Sequence, residues 1–333
     1  MEFDAQAKDD PIFIVGAPRS GTTLLRYIIT SHPRIFIPPE SYFLPRFFSF
    51  DPQKPLVQKK AIEVVSSIWK YTSFFSDWKG PVPAPDSFVS ALPDTRPATI
   101  INTLYTCYTN QYGAMRWGDK TPIYVEKMDE IVEIFPGAKF IHIIRDGRDV
   151  ALSMKKSYKG FRFFYMDEYY AAATWRDRIT KAKEVGSKLG SGRYLEIRYE
   201  DLLFSLEEYI YKICEFLKER YHPAMKEPHL TAASFHHSKG IHASTRLPPT
   251  TSRIGIWQQE MSQADQRLFQ SVAGETLKQN NYEMVDLRKI TLREKFWKIS
   301  LAMKFNTLTA SRNAIQKAGI VHPTAIIEKI TKK

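Results

Sequence analysis

Residues 11–25, Pro-Ile-Phe-Ile-Val-Gly-Ala-Pro-Arg-Ser-Gly-Thr-Thr-Leu-Leu, restrict the fold of this chain more than any other stretch. Residues 12–15 are β-branched and aromatic, which reads as a buried strand. Gly16, Pro18 and Gly21 then break the strand into a tight loop. From Thr22 the apolar residues take helical spacing at Leu24, Leu25, Ile28 and Ile29, with Arg26 among them. A strand, a glycine loop and a helix start aim backbone N–H groups and the positive end of a helix dipole at one point. A phosphate-like anion is the natural occupant. The loop differs from a Walker A loop in one respect. The NTPase pattern has Lys directly after the second Gly, and this chain has Thr22 there. The cation is Arg19 instead, whose planar guanidinium suits bidentate contact with a phosphate or sulfate group.

The 333 residues suffice for one large α/β domain or two smaller ones. No apolar run approaches the roughly 18 residues of a membrane span, and the acidic N-terminus lacks the apolar core of a signal peptide. Two cysteines, Cys107 and Cys214, cannot build a disulfide framework or a four-thiolate zinc site. A cytoplasmic location is therefore expected. The net charge of +12 is unevenly placed: from Leu287 onward eleven Lys or Arg stand against Glu294 and Glu328, a net +9. Basicity thus describes the tail, not the core. No nucleic-acid motif accompanies it, so no nucleic-acid partner is expected.

The helix after the loop ends at Ser31-His32-Pro33, because the residue before proline leaves the α region. Ile35–Ile37 reads as a second strand closed by Pro38-Pro39, followed by Glu40 at a strand end near the phosphate loop. The aromatic cluster Tyr42, Phe43, Phe47, Phe48 and Phe50 fits an acceptor pocket or ordinary core packing. Residues 41–117 read as an insertion with long ordered loops, of the kind that builds acceptor walls. A helix is expected from Pro97 to about Tyr112, and another opening at Thr121-Pro122, with Thr121 as its cap. Lys120 then stands just before a helix N-terminus, beside an anion held there. Residues 140–144 read as a buried strand with Arg145 at its end and Ser153 two helical turns beyond, a pair able to grip a second anion. His142 reads as a core histidine.

A long helix is expected over 167–190, a strand over 194–199, and one helix from Glu200 to about Lys218. The histidines of 219–252 lack metal-ligand spacing, so no metal site is expected there. The last core helix covers about 262–278. From Thr291, with Glu294 in capping-box register, the tail reads as an amphipathic helix. Leu292, Phe296, Ile299 and Met303 share one face, widened by Trp297, Leu301, Phe305 and Leu308. Residues 291–308 therefore suit an anionic membrane surface, or docking on the core or on a second subunit.

Alternating strands and helices around one phosphate loop imply an α/β fold. The expectation is a P-loop-like three-layer sandwich with a mostly parallel central sheet and a C-terminal helical tail. Taken together the motifs resemble the sulfotransferase family, enzymes that take sulfate from 3′-phosphoadenylyl sulfate (PAPS). Pro18-Arg-Ser-Gly-Thr-Thr23 looks like the family's loop for the 5′-phosphosulfate, which implicates Arg19, Ser20, Gly21, Thr22, Thr23 and Leu24. Arg145 and Ser153 look like the 3′-phosphate pair. Arg198-Tyr199-Glu200-Asp201 resembles the segment whose tyrosine lies near adenine, and Ser252-Arg253-Ile254-Gly255 resembles a late loop that closes on the 3′-phosphate. Members acting on carbohydrates and on protein tyrosines place a glutamate after the first helix as base, a position matched by Glu40. Gly118-Asp-Lys-Thr-Pro122 also looks like those branches.

The resemblance implies a domain over 1–286, outside of which lies the tail 287–333. It implies transfer of a sulfuryl group from PAPS to an acceptor hydroxyl, leaving 3′,5′-adenosine bisphosphate. Glu40 would take the proton, while Arg19 and Lys120 would neutralise charge without a metal. A saccharide or lipid-linked acceptor is the preferred expectation, with a peptide tyrosine or small alcohol as alternatives. His236 and His237 are alternative bases. A P-loop kinase is the rival enzyme, with Asp146 and Asp149 as candidate Mg²⁺ ligands, and a non-catalytic protein binding through its tail is the rival from another class. Oligomeric state is left open.

Overall fold

The computed structural model describes residues 10–70, 74–157, 167–235, 244–285 and 292–317. The chain divides into two compact units, residues 1–145 with 178–254 and residues 146–177 with 255–333. The sequence places a single boundary at 286/287. The contacts instead group the tail helix Leu292–Lys317 with 146–177 and 255–285.

The first unit is built on five parallel strands: β1 Ile12–Val15, β2 Ile35–Phe36, β3 Arg116–Lys120, β4 Lys139–Ile144 and β5 Tyr194–Arg198. Their order across the sheet is β2-β3-β1-β4-β5. Register pairs Ile14 with Lys120 on one side of β1 and Val15 with His142 on the other. Successive side chains of a strand face opposite sides of a sheet, so a strand buried on both sides must be apolar throughout. Phe13 and Val15 enter one core with residues of the helices Gln58–Trp69 and Pro97–Asn110. Ile12 and Ile14 enter the other with the helices Thr22–Thr30 and Leu206–Leu217. The unit is a three-layer α/β sandwich, as expected.

Strand β3 corrects the expectation from sequence that Gly118-Asp-Lys120 is the approach to a helix. Arg116-Trp-Gly-Asp-Lys has no β-branched run and three charges, so propensity argues against a strand. Here tertiary pairing wins. Arg116 donates to the Leu217 carbonyl at 2.7 Å, Trp117 Nε1 to Asn102 at 2.7 Å, and Tyr105 to Asp119. Gly118 is required by proximity, since a Cβ there would lie 2.9 Å from the Ile12 carbonyl oxygen. Beyond β3 a 3₁₀ turn, Pro122–Lys127, precedes the helix Met128–Ile134, and the Thr121 side chain caps neither. The helix expected over 200–218 is two, Tyr199–Phe204 and Leu206–Leu217, broken at Ser205, whose ψ of 52° is not helical.

The aromatics after Glu40 settle into the core. Phe43, Phe47 and Phe74 are fully buried, and Phe43 and Phe74 meet edge to face at 5.2 Å. The core-packing reading holds for them, and Phe48 and Phe50 pack against the same cluster.

In the second unit the helix Gly147–Ser157 starts where Gly147 passes the rings of Trp175 and Phe269, each of which would lie 2.6 Å from a Cβ at that position. Ser262 caps the helix Gln263–Gln279 through the Asp265 N–H. Among the described residues no helix is long and apolar enough to cross a membrane.

Candidate active site

Each of the five parallel strands delivers a chemically equipped residue to its C-terminal end, where open α/β sheets bind ligands. Along the sheet the order is Glu40 after β2, Lys120 ending β3, the Arg19 loop after β1, Arg145 after β4 and Tyr199 after β5. The chain leaves β1 toward β2 and leaves β4 toward β5. The topological switch point therefore falls between β1 and β4, where the loop and Arg145 stand.

The loop is shaped by close approach. A Cβ on Gly16 would lie 2.6 Å from the Ile143 carbonyl oxygen, and one on Gly21 would lie 2.4 Å from Tyr199 Cδ2. Gly21, at φ +95°, is the cap of the helix Thr22–Thr30. Arg19 adopts φ +70°, a conformation that costs a non-glycine residue free energy and tends to mark functional sites. Leu25 makes the first turn-closing bond, to Gly21 at 3.0 Å, so the N–H groups of Thr22, Thr23 and Leu24 precede the helical ladder. Ser20 is fully buried, and its Oγ has no hydrogen-bond partner among the described residues. A buried hydroxyl without a partner is costly. It fits a bound anion's oxygen.

Arg145 is nearly buried and is braced rather than solvated. It donates to the carbonyls of Arg19, at 3.5 Å, and Arg253. Its guanidinium lies 4.8 Å from the Tyr199 ring centre. Three regions far apart in sequence, the loop, the strand end and the segment ending at Arg253, thus converge on one cation. Ser252 and Arg253 are exposed in the 3₁₀ turn Thr251–Arg253.

Within the second unit, Ser153 lies two turns into Gly147–Ser157, and Gly255 takes φ +71° and donates to Asp149 Oδ2 at 2.9 Å. Asp149 also accepts from the Trp257 N–H at 3.0 Å, and Asp146 is held by Arg148 at 3.0 and 2.7 Å. Both carboxylates are buried and committed to packing. As a result neither is presented as an open metal ligand.

At the other end of the row, Lys120 Nζ donates to Glu40 Oε1, and Tyr42 donates its hydroxyl to the same carboxylate. From the sequence, Glu40 is expected on the acceptor and Lys120 on an anion, as separate groups. The structure joins them. Lys120 is fully buried, and burial pushes its ammonium below the usual range while the Glu40 carboxylate opposes that shift. What aims Glu40 was not legible in the sequence. Ser41 N–H donates to Thr121 Oγ1 at 3.1 Å, and Tyr124 accepts from the Leu44 N–H at 3.1 Å while bonding Ser41 Oγ at 2.9 Å. Arg26 is fully buried in the helix Thr22–Thr30 and donates to the Ile37 carbonyl at 2.8 Å. Its one signal was a charge inside an apolar helix face. His142 is buried against the Tyr194 hydroxyl at 2.6 Å. His236 and His237 lie outside the described residues.

These features define an α/β protein with a strand–loop–helix turn, a candidate anion site, at the sheet's switch point. The chain belongs to the sulfotransferase family, whose model matches residues 11–223. It is 24% identical over 247 residues to a protein-tyrosine sulfotransferase of Drosophila melanogaster, covering 71% of this chain and 42% of the relative. It is 25% identical over 207 residues to protein-tyrosine sulfotransferase A of Caenorhabditis elegans, covering 62% of this chain and 49% of that relative. The chain therefore spans less than half the length of either curated relative. Among solved structures, the sulfotransferase domain of the Synechococcus PCC 7002 olefin synthase shares the fold, with a TM-score of 0.58 and 21% identity. The match covers 86% of this chain and all of that domain.

Proposed function

We propose that residues 1–286 form a PAPS-dependent sulfotransferase that moves a sulfuryl group to an acceptor hydroxyl. The observation that carries this reading is the row of Glu40, Lys120, Arg19, Arg145 and Tyr199 along one sheet edge, in a chain of the sulfotransferase family. The donor supplies an activated sulfuryl group on a phosphate leaving group. Arg19, the buried Ser20 hydroxyl and the N–H groups from Gly21 to Leu24 bind the phosphosulfate end. Arg145 holds the 3′-phosphate. Ser153, Ser252, Arg253 and Gly255 are assigned to the same phosphate from the sequence resemblance. Tyr199 offers its ring face to adenine. Glu40 accepts the acceptor's proton as the new O–S bond forms, and Lys120 offsets the charge that develops on the departing side. The sulfuryl group carries less charge than a phosphoryl group, so these cations suffice without a metal. The kinase reading is weakened by the commitment of Asp146 and Asp149 to Arg148 and to the N–H groups of Gly255 and Trp257.

For the acceptor we propose a saccharide or lipid-linked hydroxyl, from the Glu40 type of base taken together with the amphipathic tail helix. A peptide tyrosine is the second reading, favoured by the relatives named as protein-tyrosine sulfotransferases. The donor test is calorimetric titration with 3′,5′-adenosine bisphosphate, and with ATP in the presence and absence of Mg²⁺. Metal-independent binding of the bisphosphate, lost in Arg145→Ala, is expected. Binding of Mg²⁺·ATP alone would overturn the proposal. Radiolabelled PAPS offered with oligosaccharides, glycolipids and tyrosine peptides then separates the two acceptor readings.

A further inference from the structure

Over residues 295–307 the tail helix Leu292–Lys317 is apolar on two faces, and among the described residues its own unit covers only one of them. On the covered face Phe305 meets the rings of Tyr169 and Tyr170 at 6.0 and 5.5 Å, and Lys298 donates to the Ser271 carbonyl at 2.8 Å. On the opposite face Phe296, Ile299 and Met303 are 71%, 51% and 65% exposed. Their spacing of three and four residues puts them in one stripe. The sequence pattern merged the two faces into one broad apolar surface, whereas the structure separates them.

Three large apolar side chains in a row on water cost free energy unless something covers them. The flanks of the stripe indicate the cover. Lys295 is exposed beside it and Lys304 is half-buried along its other edge, reaching Asp167 at 4.0 Å. Along the sequence, the last 47 residues that include this helix carry a net +9. A second copy of this chain would bring the same positive charge against itself and gain only the apolar term. A sheet of anionic headgroups over hydrocarbon complements both parts, with the apolar stripe entering the acyl boundary and the lysines reaching the headgroups. We propose that the Phe296–Ile299–Met303 face is a binding surface for anionic phospholipid bilayers, which seats the second unit on a membrane without spanning it.

The test is co-sedimentation of the full chain with phosphatidylcholine vesicles containing or lacking phosphatidylglycerol, over a range of salt. Binding to the anionic vesicles alone is expected, falling as salt rises. Replacing Phe296, Ile299 and Met303 together by serine should weaken binding at least tenfold while leaving the thermal midpoint and bisphosphate affinity unchanged. Lys295→Gln should weaken it about fivefold, the effect of one basic residue near an anionic surface. This single exposed change keeps the test decisive even if the triple variant fails to fold. The proposal is overturned by equal binding to neutral vesicles or by no binding to anionic ones. It is equally overturned by a concentration-dependent dimer that the triple variant abolishes. Bisphosphate binding reads the donor site independently, so failure on vesicles leaves the sulfotransferase reading standing.

Discussion

Glu40 and Lys120 meet across eighty residues of sequence, and in the proposed reaction they take two different chemical duties. A base that takes a proton only during transfer should matter for turnover and not for donor affinity. Glu40→Gln is therefore expected to cut turnover by about 10²–10⁴-fold, with bisphosphate affinity within a factor of about two by calorimetry. Unchanged turnover would remove Glu40 from the reaction. Gly21 makes the opposite kind of prediction. Its φ of +95°, and a Tyr199 ring that would stand 2.4 Å from any Cβ placed there, leave no room for a side chain. Gly21→Ala should cost about 1–3 kcal/mol in urea unfolding and weaken the bisphosphate together with it. The role of such glycines was legible from a strand, a loop and a helix start in fifteen consecutive residues. The partner of Lys120 was not, because nothing near it in sequence names Glu40.

Strand β4 illustrates what an element demands of its residues. His142 occupies a fully buried position in it, and burial lowers the imidazole pKa to about 3, against an ordinary 6.5. The unfolded chain thus binds one more proton than the native chain between about pH 3 and pH 6.5. In that window stability rises with pH, and it falls as acid is added. His142→Gln should flatten this part of the stability curve, followed by urea midpoints at successive pH values. An unaltered slope would show that other groups set the acid limb. The apolar run 140–144 made β4 readable in advance. Strand β3, three-fifths charged, was unreadable because each of its charged residues finds a partner outside it: Glu219 pairs with Arg116, Glu40 pairs with Lys120, and the Tyr105 hydroxyl donates a hydrogen bond to Asp119.

For the molecule as a whole, a donor nucleotide that binds only the folded chain must stabilise it. Bisphosphate at about one hundred times its dissociation constant should add about 2.7 kcal/mol, seen as a rise in thermal midpoint that Arg145→Ala abolishes. Removal of residues 287–333 should leave that rise in place. It should also lower the starting midpoint, because Tyr169 and Tyr170 lose the Phe305 ring that packs on them. A midpoint unaffected by the truncation would mean that the helix contributes nothing to the second unit.

The sequence by itself determined the strand–loop–helix turn at residues 11–25, four of the five parallel strands and the alternation of strand and helix that covers the sheet on both sides; the residues proposed to bind the donor's anions were also read from it. These depend on period, glycine position and residue chemistry, all written in contiguous stretches. Only the tertiary structure decided that Gly118-Asp-Lys120 is a strand, that Lys120 pairs with Glu40 and that Asp146 and Asp149 serve packing. It also decided which face of the tail helix stays exposed. Each of those outcomes is settled by a partner tens of residues or more away, or by a local competition for the same carboxylate, and no local pattern records which contact wins.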